Sequence, residues 1–382
     1  MRASKAKPGF PTVLVIIGSL AGAELLAEPM WDWQYRVITS RILKGFQYVD
    51  PSDNVTRNKP GSWTYRQLHH ELTSQGRHLG VDDLEHLAAQ YNLQPDDVVV
   101  SINRHGFVGP EILDPRPPRT VRVMTIGDSV TFGPYYYPMS YPRVMERAIA
   151  SAGFQVEVIN SAVQGYSLDK VLKRLDEFME LEPDVITVMI GWNRTLIRAD
   201  PGKNESLYRG VALYRFFYHL WSRSTEATQF PGHAANFYNP ADPFMARLRQ
   251  TTFEFDLKDW GELTDRIHAR LPRCRIVVLG LGGLFMDGIQ PDAAAIKLGY
   301  SVTFTHNLDA WAVLTAAYNQ KLAQFAREQK LGFIDVGEWS RGAFQPRSSY
   351  FIDSVHPNSR GYELMGKHIA SEMIRQAFVG RT

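Results

Sequence analysis

Three side chains in this sequence are of the types that together make an acyl-transfer centre. They are Ser129 in VRVMTIGDSVTFGP, and Asp353 and His356 in DSVHPN. A serine hydroxyl becomes nucleophilic only beside a base, and the base needs a carboxylate to orient it. Asp353 and His356 are three residues apart, so on one turn of chain the carboxylate can hold Nδ1 and leave Nε2 facing outward. Pro357 suits the first position of a following helix, which would fix His356 at its mouth. Taken alone, D-x-x-H is a weak pattern, and Ser129 alone reads equally well as a helix cap.

Acyl transfer also needs donors for an oxyanion. The Ser129 N–H would lie at a helix start, where unpaired donors favour negative charge. Gly165, in NSAVQGYS, can bring its own N–H close because no Cβ intervenes. Asn193, in GWN, offers a side-chain NH₂. Separately these are a cap, a turn glycine and a turn asparagine.

The elements that must position them are legible as alternating patterns. Apolar strand candidates are Val121–Ile126, Val156–Asn160, Val185–Ile190, Arg275–Gly280 and Gly332–Val336. Helical patterns cover Tyr141–Ala152, Leu168–Leu181, Leu257–Ala269, Ala310–Glu328 and Ser359–Phe378. Short β-branched runs alternating with helices imply βαβ crossovers and a mostly parallel sheet covered on both faces. In such a sheet ligands bind outside the carboxyl ends of the strands. Gly127-Asp128-Ser129, Asn160 to Tyr166, Gly191 to Arg194 and Asp353 to Pro357 each follow a strand, so four polar or glycine-bearing turns converge on one edge. That ordering gives the individually weak signals their weight.

GDSVTFG, the glycine of NSAVQGYS, GWN and DSVHPN resemble blocks I, II, III and V of the SGNH (GDSL-like) hydrolases. The resemblance spans roughly Arg119 to Ala377. It implies a three-layer α/β/α flavodoxin-like sandwich with a mostly parallel five-stranded sheet. It further implies Ser129 as nucleophile, Gly165 and Asn193 as oxyanion donors, and His356 as base oriented by Asp353. Asn103-Arg-His-Gly-Phe-Val-Gly-Pro-Glu is similar to a segment often preceding the first block in exported bacterial members. One departure stands out: the family commonly has Asp after the block III asparagine, where this chain has Arg194. That Arg has three readings: recognition of an anionic group on the substrate, bracing of the Asn193 loop, or a solvent-facing side chain without a role. Trp192 and Tyr135, the latter in a run of three tyrosines, are the other candidates for lining a substrate pocket.

Composition bounds the rest. The 382 residues are 44% hydrophobic, ample for one large α/β domain and an appendage. Forty-two basic and 40 acidic side chains give a formal charge of +2, with no dense basic stripe, so nucleic acid is not an expected partner. Cys274 is the only cysteine, which excludes an internal disulfide and any cysteine-cluster metal site. His69-His70-Glu71 and His78 lack metal-ligand spacing, so no metal and no organic cofactor are expected. Asn54, Asn193 and Asn204 each open an N-x-S/T sequon. Use of the middle one would conflict with an oxyanion role.

Arg2, Lys5 and Lys7 precede an apolar run from Phe10 and the small residues Ala21-Gly22-Ala23. This reads as a signal peptide or signal anchor over residues 1–27, and hence an extracytoplasmic, secreted, periplasmic or membrane-tethered protein. The bland alternative is a buried helix of a cytoplasmic protein. Residues 28–118 read as an N-terminal extension closed by the stiff linker Asp114-Pro-Arg-Pro-Pro-Arg. Residues 119–380 form the expected hydrolase domain. Within it, a cap-like insertion over 195–255 carries an aromatic helical pattern at Glu205–Arg223; ordinary packing explains that pattern as well.

The expected function is a serine esterase acting on a small acyl ester, with an O-acetyl group on a carbohydrate as the leading example. An O-acyltransferase with the same triad is the nearest rival. A non-catalytic carbohydrate-binding domain would not need nucleophile and base together. A flavin-binding protein would leave D-x-x-H unexplained.

Overall fold

The structure is a computed structural model and describes residues 45–74, 78–197, 235–251, 253, 255 and 257–380. The expected signal segment and the helical pattern at Glu205–Arg223 lie outside the described residues.

Five parallel strands form the central sheet: β5 (Val121–Gly127), β6 (Val156–Asn160), β7 (Val185–Met189), β8 (Arg275–Leu279) and β9 (Gly332–Ile334), in the spatial order β6-β5-β7-β8-β9. Every residue of β5 and of β7 is buried. A strand covered on both faces favours apolar side chains, which is why both read as mainly apolar runs, broken by Arg122 and Thr125 in β5 and by Thr187 in β7.

The strand order determines the layers. From β5 to β6 the chain steps one way; from β6 to β7 it crosses back over β5 and continues in the other direction. Right-handed crossovers then place helix Tyr141–Ser151 on one face, and helices Leu168–Met179, Lys258–Arg270 and Asp309–Glu328 on the other. The C-terminal helix Ser359–Arg375 packs against Tyr141–Ser151, and Lys258–Arg270 packs against Leu168–Met179. The result is the three-layer α/β/α sandwich expected.

Before the sheet come two antiparallel pairs. β1 (Gln47–Asp50) pairs with β2 (Val55–Asn58), and β3 (Gly61–Thr64) pairs with β4 (Val98–Ile102). Helices Tyr65–Ser74 and His78–Tyr91 separate β3 from β4. This layer has an apolar cluster of its own, which includes Phe132 of the turn that carries Ser129. The Phe46 and Phe132 rings stack at 5.5 Å. The loop Asn103–Glu111 then runs to the end of β6, where the Val108 N–H donates to the Asn160 carbonyl at 2.8 Å.

The proline-rich segment after this loop is tied to the opposite, amino-terminal end of the sheet. Arg122 and Glu157 form a buried pair at 2.7 Å, and Arg122 Nη2 also donates to the Leu113 carbonyl at 2.8 Å. Arg116 pairs with Asp184 at 2.9 Å. In the interval read as an insertion, the described part holds helix Pro243–Gln250, capped by Asp242 with proline at its first turn. Arg249 ties that helix to Asp309, which is fully buried, at 2.6 Å.

Candidate active site

β5 ends at Gly127, and the chain turns at once into a single helical turn, Ser129–Phe132. No other residue fits at Gly127: an added Cβ would run into the Thr131 side chain and the Met189 carbonyl. Asp128 caps the turn, its Oδ1 accepting the Val130 N–H at 3.1 Å. Asn160, at the end of β6, steadies it from the side by donating from Nδ2 to the Thr131 carbonyl at 3.0 Å. Ser129 is thereby presented, half-buried, at the carboxyl edge of the sheet.

His356 reaches the same point from a tight loop that precedes the last helix. The loop closes on itself: Ile352 N–H donates to the His356 carbonyl at 3.0 Å and Asn358 N–H to the Tyr350 carbonyl at 2.8 Å. Asp353 Oδ1 accepts the backbone N–H groups of Val355 and His356 at 2.9 and 2.8 Å. Its Oδ2 lies 2.7 Å from His356 Nδ1, and His356 Nε2 lies 2.7 Å from Ser129 Oγ. With Nδ1–H donating to the carboxylate, Nε2 is left unprotonated to accept the serine hydroxyl. Burial raises the affinity of Asp353 for a proton, but the facing His356 and the loop N–H donors outweigh it, and its pKa is lowered.

The loop rests on residues that no sequence pattern indicated. Leu284 N–H donates to the Ser354 carbonyl at 2.9 Å. Arg347, 5% exposed, holds this supporting segment through its bond to the Leu284 carbonyl at 3.0 Å and a further bond to that of Gly283. The Arg347 guanidinium stacks over Phe344 and Phe351, and burial lowers its pKa to about 9.

After β7 the chain makes one wide turn, Trp192–Ile197, closed by the Leu196 N–H donating to the Gly191 carbonyl at 3.0 Å, an i to i−5 bond. Turns of this π type are frequent at functional sites. Asn193 sits in it, and its Nδ2 donates to the Tyr166 carbonyl at 2.9 Å and to Asp128 Oδ2 at 3.2 Å. These bonds bring Asn193 beside both the Tyr166–Ser167 peptide, one residue on from Gly165, and the Asp128–Ser129 turn. Gly165 has φ +77°, a backbone conformation that disfavours any side chain. Among the described residues, the N–H groups of Ser129 and Gly165 donate to no protein group.

Asp128 itself was legible only as a letter of a motif. It is fully buried, and no Lys or Arg pairs with it among the described residues. Burial pushes its pKa up to about 7, against the opposing effects of the Val130 and Trp192 N–H donors and of His356.

The three residues expected to line a substrate pocket fare differently. Trp192 is 1% exposed and packs edge-on against Trp311 at 5.8 Å, so it supports the Asn193 turn from beneath. Tyr135 is half-buried in the apolar cluster of the N-terminal layer, over Gly80 and Leu72. The Arg194 side chain lies outside what the structure describes. Elsewhere, His69 pairs with Glu85 at 2.8 Å across the two N-terminal helices. Among the described residues no cluster of three or more His, Cys, Asp or Glu could hold a metal ion.

Fold and site together define a class: a doubly wound α/β/α sandwich with a serine, a histidine and a carboxylate in hydrogen-bonding file at its carboxyl edge. Residues 125–364, more than half of the sequence, match the GDSL-like Lipase/Acylhydrolase family, and the chain belongs to that family of hydrolases. Among solved structures it is similar to a lipase/acylhydrolase from Enterococcus faecalis, with 14% identity over 69% of this chain and 98% of the other, at a TM-score of 0.40. A member of the lipolytic G-D-S-L family from Veillonella parvula DSM 2008 shows 16% identity over 67% and 99%, at 0.39. An acetylxylan esterase from Geobacillus stearothermophilus shows 14% identity over 66% and 94%, at 0.39. A comparison with curated proteins finds no match.

Proposed function

We propose that this hydrolase is a serine esterase acting on a small acyl ester, with Ser129 as nucleophile, His356 as base and Asp353 as its orienting carboxylate. The observation that carries the reading is the unbroken file from Asp353 Oδ2 through the imidazole to Ser129 Oγ, with both steps at 2.7 Å. Ser129 Oγ attacks the ester carbonyl carbon while its proton passes to His356 Nε2. The tetrahedral oxyanion is met by the free N–H groups of Ser129 and Gly165 and by Asn193 Nδ2. Collapse expels the alcohol, which takes the proton from Nε2 and leaves an acyl-serine. Water, deprotonated by the same imidazole, then attacks the acyl carbon, and release of the acid restores the hydroxyl.

An O-acetyl group on a carbohydrate is the substrate class we put forward, on sequence grounds, together with export through the N-terminal segment. The direct test is labelling with a fluorophosphonate and mapping of the modified peptide. The label is expected on Ser129 and on no other serine. Ser129→Ala is expected to lose ester turnover by a factor that in such triads can approach ~10⁶, with the fold unchanged. Retention of more than about a tenth of the wild-type rate would exclude Ser129 as nucleophile.

A further inference from the structure

The Asn193 carboxamide has two N–H hydrogens, and in the free protein both are engaged. One points at Asp128 Oδ2 at 3.2 Å and the other at the Tyr166 carbonyl at 2.9 Å. A carboxamide nitrogen has no third hydrogen to offer. An oxyanion can therefore be served by Asn193 only if one existing bond is given up.

Charge decides which. A hydrogen bond to an ionised acceptor is roughly twice as strong as one between neutral groups. Above about pH 7, where Asp128 has lost its proton, the Tyr166 carbonyl is neutral whereas Asp128 and the oxyanion both carry charge. The bond surrendered is then the one to Tyr166. The bond to Asp128 persists and keeps Nδ2 at the edge of the site while its other hydrogen changes acceptor.

Asp128 is well placed to be that fixed point. It is fully buried, and its Oδ1 holds the first turn of the nucleophile helix through the Val130 N–H at 3.1 Å. The Trp192 N–H, immediately before Asn193, also donates to this carboxylate. One side chain thus sets the serine turn and the asparagine turn relative to each other, although the two are 65 positions apart.

We propose that Asp128 is a positioning residue that acts through Asn193, anchoring one Nδ2 hydrogen so that the other can pass from the Tyr166 carbonyl to the oxyanion. The inference rests on the reading of Asn193 as an oxyanion donor.

Two variants separate this role from simple capping. Asp128→Ser keeps a side-chain oxygen able to cap Val130, because serine is a good N-cap, but it removes the acceptor for Asn193. Asp128→Asn keeps the shape and removes the charge. Each is expected to lower kcat on p-nitrophenyl acetate by about 10- to 100-fold with KM little changed, because the lost interaction matters only in the transition state. Asn193→Ala is expected to cost about 10²–10³ in kcat.

The decisive measurement is the double variant. In the Asn193→Ala background, Asp128→Ser should cost less than about threefold more, because the residue through which it acts is already gone. Equal fold losses in both backgrounds would overturn the proposal and make Asp128 a structural cap. Should Asp128→Ser fold poorly, the same cycle is run with Asp128→Asn and read by the same criterion. Ser129→Ala, measured alongside, keeps the two readings apart. An active Ser129→Ala protein removes the site altogether. An inactive one with an additive Asp128–Asn193 cycle leaves the site standing and removes only the role of Asp128.

Discussion

Replacement of Asp353 by asparagine probes the site sharply, because its two carboxylate oxygens do different work. Oδ1 accepts two loop N–H groups, from Val355 at 2.9 Å and His356 at 2.8 Å, while Oδ2 accepts from His356 Nδ1 at 2.7 Å. A carboxamide has one accepting end and one donating end, so it cannot serve both sides. If its oxygen stays on the loop, its NH₂ faces Nδ1, and the imidazole must carry its proton on Nε2, aimed at Ser129. In that tautomer it cannot take the Oγ proton. If the amide instead rotates, the tautomer is right but two loop N–H groups face an NH₂, at about 1–3 kcal/mol each, or roughly 2–6 kcal/mol together. The tautomer change breaks no hydrogen bond of the loop, so it wins. Asp353→Asn is therefore expected to lower kcat about 10⁴-fold, the size known for a wrong-tautomer histidine in a serine triad, or between about five and six kcal/mol of barrier. KM for p-nitrophenyl acetate and the melting temperature should hardly move, since the loop bonds survive. Steady-state kinetics and a thermal melt read both quantities. A loss below tenfold in a normally folded variant would refute the orienting role of Asp353. A loss accompanied by a large drop in Tm would show that the amide had rotated and the loop had given way.

Three further expectations follow from the site and the sequence. Burial raises the Asp128 pKa from 3.8 to about 7, so the folded chain keeps a proton that the unfolded chain has released, and this group makes stability fall as pH rises between those values. At about 1.4 kcal/mol per unit the effect is roughly 4 kcal/mol, and the decline of Tm between pH 5 and pH 7 should flatten in Asp128→Asn; an unchanged decline would assign it to other groups. If Arg194 recognises an anionic group, Arg194→Lys and Arg194→Ala should raise KM for an anionic ester and spare p-nitrophenyl acetate, because a lysine reproduces a bidentate guanidinium poorly; equal losses on both esters would point to a loop brace instead. Residues 1–40 fused to a reporter should carry it out of the cytoplasm, and cytoplasmic retention of the reporter would sink the expectation of export.

The sheet was legible because its central strands are buried on both faces. Full burial at β5 and β7 favours apolar side chains at most positions, with Arg122, Thr125 and Thr187 as the polar members, so Val121 to Ile126 and Val185 to Ile190 announce themselves as mainly apolar runs. The first three strands were not read for the opposite reason. QYVD, VTRN and GSWT are four residues each and mix polar with apolar side chains, so neither a continuous run nor a clean alternation emerges. Helix Tyr65–Ser74 buries only Leu68 and Leu72, an i, i+4 pair that could belong to many segments. What holds this layer is its packing onto the turn that carries Ser129, through Phe46 and Phe132, a contact between residues 86 positions apart that no local pattern contains.

The same distinction runs through the site. Asp353 and His356 could be paired in advance because one short loop both spaces them and joins them by a hydrogen bond. Ser129, Gly165 and Asn193 could be placed because each follows a strand, and a parallel sheet brings such turns to one edge. Their supports had no comparable signature. Arg347 reads as a surface cation until the fold buries it against backbone carbonyls, and arginine is seldom buried without a carboxylate. Asp128 is legible only as a letter of the motif, and the fold makes it a helix cap; its second contact, to Asn193, exists only once β5 and β7 lie side by side. Strand pairing is what converts a cap into a link between the Ser129 turn and the Asn193 turn. Chemistry carried by neighbours in sequence can thus be read before the fold is known, whereas chemistry carried by neighbours in the sheet has to wait for the register.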